Sequence, residues 1–318
     1  MPGSAASASE IVWTSWRSVP GMPAISAGTL AELLDGGQAF RWHRRPDGTW
    51  LGVWADCVAR LSLGPEPMPQ KNAGSRDAGD GIPRTLRWSA PRALSRRVER
   101  ALPAYLACDA DFGALADALP WRSDAHLARS LAAFPGLRIL RQPFGETLLG
   151  FICSATKQIV QIKQMLALLA VRHGAEIAPG IHRLPTWAEL ALVSEDQLRG
   201  CLLGFRARHI HRAAAFLAAR PGWLDETARL PYPTAKERLC ALPGVGEKIA
   251  DCALLFGAAR LEAFPVDVWV LRALQNRYAL DGWSPAQIAR FGRAHFGPHA
   301  GLAQQFLFAF ERRAKTQV

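Results

Sequence analysis

Apolar and polar positions change rhythm near Pro91. From residue 11 to about 88 the chain is strand-like. Val58-Ala59-Arg60-Leu61-Ser62-Leu63 alternates sides as a half-buried strand does. The runs 39–43 and 49–54 flank Arg45-Pro46-Asp47-Gly48, a turn sequence that makes the pair a hairpin. Residues 85–88 read as a further strand. The run 64–81, rich in Gly, Pro, Ser and Asp and without apolar periodicity, is expected as a mobile surface loop. Beyond Pro91 apolar residues recur at i, i+3 and i+4, which predicts helices over 94–105, 112–119, 125–134, 143–173, 187–193, 195–202, 207–219 and 286–296. Ser194-Glu195-Asp196-Gln197 has the form of a capping box. The pattern predicts an α+β chain: a flexible tail at 1–10, an antiparallel sheet unit at 11–110 and a helical unit at 111–318, with no internal repeat.

Composition narrows the partners. The 318 residues, 49% hydrophobic and 20% charged, suit two or three packed globular units. A net charge of +11 and a pI near 10.0 favour a polyanion, either nucleic acid or an anionic membrane surface. No apolar run approaches the roughly 20 residues a membrane span needs. Residues 1–10 lack the basic segment and apolar core of a secretory signal, so a cytoplasmic or nucleoid/nuclear location is expected. The six cysteines (57, 108, 153, 201, 240, 252) show no C-x-x-C spacing and imply neither a zinc site nor a disulfide framework. Basic residues are mostly arginine, which genome composition explains as well as DNA binding does. Lysines occur only at 71, 157, 163, 236, 248 and 315, so a lysine within a motif stands out.

That motif is Leu242-Pro243-Gly244-Val245-Gly246-Glu247-Lys248, with Asp267 nineteen residues after the lysine. Helix-compatible residues 234–241 and 249–256 on either side make it a hairpin between two helices. The glycines allow positive φ and let the backbone approach a phosphate. Lys248 falls in the first turn of the second helix, where the macrodipole disfavours the ammonium and should lower its pKa, as amine attack requires. Asp267 opens a helix-like segment, 268–280, and can cap it, stabilise developing positive charge, or both. The bland alternative is a structural helix-turn-helix with an exposed lysine and a capping aspartate.

The run 242–252 together with Val266-Asp267-Val268 resembles the lysine-bearing branch of the helix-hairpin-helix DNA glycosylases, most closely the 8-oxoguanine DNA glycosylases. The resemblance extends from about residue 13 to 308. It implies an antiparallel sheet domain packed on an all-α glycosylase domain with its hairpin at 234–256. It also implies a bifunctional glycosylase and abasic-site lyase that extrudes an oxidised purine from double-stranded DNA and forms a Schiff base on Lys248, with Asp267 assisting. Gly36-Gly37-Gln38-Ala39-Phe40-Arg41-Trp42 resembles the segment whose glycine carbonyl, here that of Gly37, accepts the N7–H of 8-oxoguanine and repels the N7 lone pair of guanine. An ordinary strand-entry glycine pair is the competing reading. Gly301 to Phe308 resembles the base-pocket stretch: Gln304 would meet the Watson–Crick edge and Phe308 one face, with Cys252 on the other. For Cys252 and Phe308, core packing is the plain alternative.

DNA contacts follow by the same resemblance. Gly244, Val245 and Gly246 would hold a phosphate, and Phe205 would wedge beside the lesion. Arg206 would reach the orphaned base. Thr156 lies on a helix facing the emptied stack, where relatives carry asparagines and, at Gln161, an arginine; opposite-base selectivity is the property these changes touch. Relatives carry a histidine where Trp269 stands. Some superfamily members bear a four-cysteine iron–sulfur cluster after the catalytic domain, but no cysteine follows Cys252, so neither that cofactor nor another is expected. A monovalent cation between hairpin carbonyls and phosphate is common in the superfamily and not readable here. A monomer without membrane association is expected. Two other function classes remain at this level: a glycosylase for alkylated or broader-range bases, and a non-catalytic DNA-binding module.

Overall fold

The computed structural model describes residues 10–65 and 82–316; the expected tail and nearly all of the expected loop at 64–81 lie outside the described residues. The first half holds β1 (Arg17–Ser18), α1 (Ala27–Asp35), β2 (Trp42–Arg44), β3 (Trp50–Trp54), β4 (Cys57–Leu63) and β5 (Leu86–Ser89). The five strands form one antiparallel sheet in the order β1-β5-β4-β3-β2. Helices follow: α2 (Ser95–Tyr105), α3 (Phe112–Asp117), α4 (Ala125–Ala133), α5 (Phe144–Cys153) and α6 (Ile159–His173). A small hairpin, β6 (Glu176–Ala178) and β7 (Ile181–His182), precedes α7 (Trp187–Leu190), α8 (Glu195–Arg199), α9 (Arg206–Ala218) and α10 (Trp223–Arg229). The chain continues through α11 (Tyr232–Cys240), α12 (Glu247–Gly257), α13 (Val268–Tyr278), α14 (Pro285–Phe296) and α15 (Ala300–Thr316). No helix among the described residues is long and apolar enough to cross a membrane.

The fold is α+β, with three local departures from the sequence reading. First, the strand-like stretch contains α1. Ser26 caps it by accepting from the Thr29 amide at 3.0 Å, and Leu30, Leu33 and Leu34 bury one helical face. The Gly36-Gly37 pair therefore ends a helix instead of entering a strand. Second, 143–173 is two helices. The apolar spacing runs on, but Thr156 adopts φ +55° and Gln161 Oε1 accepts from the Gln158 amide at 3.2 Å, capping a new start. Third, the helix after Asp267 stops at Tyr278, where Ala279 turns left-handed (φ 53°). The β6–β7 hairpin, α10 and α15 are additions to the predicted elements.

One apolar core runs from the sheet into the helices. Buried Trp42 stacks on Trp54 at 5.7 Å and donates to the Tyr105 hydroxyl at 2.9 Å, fastening sheet to helix. Across from it on β3, a side chain at Gly52 would collide with the Trp42 ring. Helix α5 lies along α12, with Phe151 stacked on Phe256 at 5.5 Å, and this contact sets the end of α5 beside the start of α12.

Glu146, in the first turn of α5, reaches the β3–β4 turn and accepts from the Ala55 amide at 2.9 Å. Burial pushes its carboxyl up to about 7. Between the ordinary glutamate range and about 7 the folded protein keeps it protonated while the unfolded chain ionises. Stability therefore falls as pH rises through that window and levels off above it. Glu146→Gln should raise stability by about 2 kcal/mol at pH 8, discounted for partial solvent access, and by nothing measurable at pH 5. Thermal melts at the two pH values check this, and an equal shift at both would refute it.

Candidate active site at the helical hairpin

The motif forms the predicted helix–turn–helix from α11 and α12. Gly244 has φ +80°, and a Cβ there would meet His209 of α9 at 2.5 Å, so glycine is required both by conformation and by close packing. Gly246 is different: its φ is −95°, it is the N-cap of α12, and nothing lies within 4 Å of where its Cβ would be. The cap makes no side-chain hydrogen bond, so the first amides of α12 have no cap partner, as an anion site requires. Val245 is buried beneath the turn. The two helices are pinned by Asp251, which accepts from the Tyr232 hydroxyl at 2.7 Å and from Lys236 at 3.0 Å; burial nonetheless pushes its carboxyl up.

Lys248 occupies the second position of α12. Its Nζ lies 3.2 Å from Ser154 Oγ and 5.3 Å over the Phe151 ring. Both partners come from the end of α5, so the α5–α12 contact aims the amine. Asp267 caps α13, accepting from the Trp269 amide at 3.0 Å and the Val270 amide at 2.9 Å. Burial raises its carboxyl pKa, against the pull of those amides and of the Lys248 charge.

The structure brings Gly37, Lys248, Cys252, Asp267, Gln304 and Phe308 to one narrow cavity of about 50 Å³. Cys252 is a buried thiol whose pKa burial pushes up to about 12, so it presents a neutral surface. Gly37 has φ +109°, and a Cβ there would touch Ile159 and Phe308 at 3.4 and 3.6 Å. The cavity opens into a groove of about 760 Å³ that shares Gly37, Lys248, Asp267 and Phe308 and also includes Thr156. Val160 and Val268, 73% and 52% exposed, flank this groove.

Two placements depart from expectation. Phe205 is 56% exposed, as a wedge would be. Arg206 is 3% exposed: its guanidinium donates to the Ala155 carbonyl and, at 3.2 Å, to Thr156 Oγ1, and lies 4.4 Å over the Phe205 ring. It supports the 154–158 turn from below. Thr156 accordingly sits in a turn between helices, not on a helix face.

Some neighbours of the cavity carried no sequence signal. Ser154 and Phe151 hold the lysine, and Gln305 lines the cavity beside Gln304. A pair of ion contacts fixes the Gly36-Gly37 turn: Glu32 to Arg312 at 2.6 Å and Asp35 to Lys163 at 2.5 Å, joining α1 to α15 and α6. Their partners are separated by 280 and 128 residues, beyond any local pattern. Among the described residues no three His, Cys, Asp or Glu side chains gather as a metal site.

The profile of the 8-oxoguanine DNA glycosylase N-terminal domain matches residues 24–148. The chain is 34% identical over 204 residues to an N-glycosylase/DNA lyase, OGG1, of Arabidopsis thaliana, covering 59% of this chain and 55% of that protein; it thus spans just over half the relative's length. It is 30% identical over 215 residues to a "Probable N-glycosylase/DNA lyase" of Methanothermobacter thermautotrophicus, covering 60% of this chain and 68% of that one. The structure superposes on Clostridium acetobutylicum 8-oxoguanine glycosylase/lyase, solved with double-stranded DNA holding cytosine opposite 8-oxoguanine. That match has a TM-score of 0.76 and 26% identity, over 95% of this chain and 99% of that one.

Proposed function

The chain belongs to the helix-hairpin-helix 8-oxoguanine DNA glycosylase family, and from that membership we propose that it excises oxidised purine from duplex DNA and then cleaves the abasic site. The observation that carries this reading is the meeting of the Lys248 amine, the Asp267 carboxylate and an aromatic- and amide-lined cavity at one hairpin. The Gly244–Gly246 backbone and the amides opening α12 would hold a phosphate beside the lesion, and exposed Phe205 would wedge beside it. The +11 charge of the chain suits this partner.

With the base extruded, the Lys248 amine bonds to C1′ as the C1′–N9 bond breaks, and the departing purine takes a proton. The nitrogen lone pair then opens the sugar ring to a Schiff base. Loss of a C2′ proton expels the 3′-phosphate and nicks the strand. Asp267 stabilises the positive charge that develops at the sugar. No step in this sequence passes through a cofactor; a monovalent cation at the hairpin carbonyls would assist only phosphate binding. The protein would act as a monomer wherever cellular DNA lies, with residues 11–110 as a sheet domain and 111–318 as the catalytic one.

Borohydride trapping on duplexes holding 8-oxoguanine opposite each normal base tests the reading. A lesion-dependent covalent complex supports it, and absence of both trapping and base release refutes it. The role of the Gly37 carbonyl has its own check. Gly37→Ala must hold φ near +109° against a Cβ penalty of about 1–3 kcal/mol, which would shift the carbonyl. Excision of 8-oxoguanine should fall at least roughly tenfold, while affinity for undamaged duplex stays within about twofold. Equal loss of both would remove the carbonyl from the mechanism.

A further inference from the structure

On helix α15, Phe308 lies four residues after Gln304 and three after Gln305, so each glutamine neighbours it on the helix surface. Both glutamines are deeply buried, 5% and 2% exposed, and both line the cavity beneath Lys248. Gln304 Oε1 and Gln305 Nε2 have no hydrogen-bond partner among the described residues. A buried amide end left unmade costs about 1–3 kcal/mol, and two in adjacent residues is rare in a folded core. A polar ligand entering the cavity would supply the missing partners.

We infer that Gln305 is a second base-reading residue, which works beside Gln304 to select a guanine-type over an adenine-type edge. The inference rests on the proposed excision of oxidised purine and adds a specificity determinant to it. One unpartnered atom is an acceptor and the other a donor. A guanine-type edge offers the complement, O6 as acceptor and N1–H as donor, whereas an adenine-type edge offers an N6 donor and an N1 acceptor. One amide alone can turn about its terminal torsion and present either end. With both glutamines lining the cavity, presenting the other edge pattern requires both amides to turn, so the pair is stricter than either member.

Gln305→Met tests this. Methionine matches the volume, suits a helix and makes no strong hydrogen bond. Three rates are measured for wild type and variant: release of 8-oxoguanine, release of 8-oxoadenine, and cleavage of a preformed abasic site, which puts no base in the cavity. The expected result is a roughly 10- to 100-fold loss on 8-oxoguanine, a smaller or no loss on 8-oxoadenine, and unchanged abasic-site cleavage. The variant should melt no lower than wild type, because it discards an unpartnered buried amide. An unchanged rate on 8-oxoguanine overturns the inference and leaves the proposed function standing. Equal loss in excision and abasic cleavage, or a lower melting temperature with that equal loss, makes Gln305 structural and also overturns it. A wild-type protein that releases no oxidised purine overturns both readings together.

Discussion

Lys248→Gln should abolish borohydride trapping and lower 8-oxoguanine release by a factor on the order of 10³ or more. Glutamine keeps a polar end near Ser154 Oγ, so the 3.2 Å contact has a substitute and the fold has no reason to fail. It has no nucleophilic lone pair, so the C1′–N bond cannot form. The loss of the ammonium over Phe151, a contact worth about 0.5–2 kcal/mol, is small beside the loss of the nucleophile. Abasic-site cleavage should vanish in the same assay, because the Schiff base is its first intermediate. Base release within tenfold of wild type in this variant would mean that water is the nucleophile, and the lyase reading would be lost.

The second large effect belongs to Asp267, where two roles can be separated. Asparagine caps a helix about as well as aspartate, so Asp267→Asn retains acceptors for the Trp269 and Val270 amides and should leave the melting temperature nearly unchanged. It removes the negative charge. Excision should fall by roughly 10²–10³ if that charge meets the developing oxocarbenium. Asp267→Ala loses the cap as well, at about 1 kcal/mol of stability. Since burial raises the carboxyl's pKa, the wild-type rate should fall with decreasing pH at values above the ordinary carboxylate range. That acid limb should be missing in the asparagine variant. An asparagine variant of full activity would reduce Asp267 to a capping residue.

Much of the site was legible because its chemistry is written in short local patterns. The glycine turn, the lysine after it and the aspartate opening the next helix are each encoded within a few residues. Gly37, Gln304 and Phe308 were placed by resemblance to segments far apart in the chain, and the fold brings them to one cavity with Lys248. What escaped was set by tertiary context. The apolar spacing of 143–173 is continuous, so nothing periodic announces the left-handed Thr156 that splits it. Arg206 reads by resemblance as the arginine that reaches the orphaned base, yet its placement depends on a carbonyl and a hydroxyl at the end of another helix, where it anchors the turn. Gln305 lies next to a recognisable residue and had no pattern of its own. The ion pairs of Glu32 and Asp35 join residues that only the folded chain makes neighbours.

The narrowness of the cavity has a consequence for time as well as space. At about 50 Å³ it is well below the roughly 150 Å³ that admits a benzene-sized guest. It opens into the groove of about 760 Å³, so an extruded purine reaches it from there and is held within it only once the cavity widens. If that widened form is a small fraction of the resting population, apparent affinity for an extruded base falls by the same fraction. Bases that swing out briefly from undamaged DNA would return to the stack before the cavity widens. Residence per nucleotide would then be short, and the protein could scan long stretches of sound duplex, stopping where a base holds the cavity open by its own contacts.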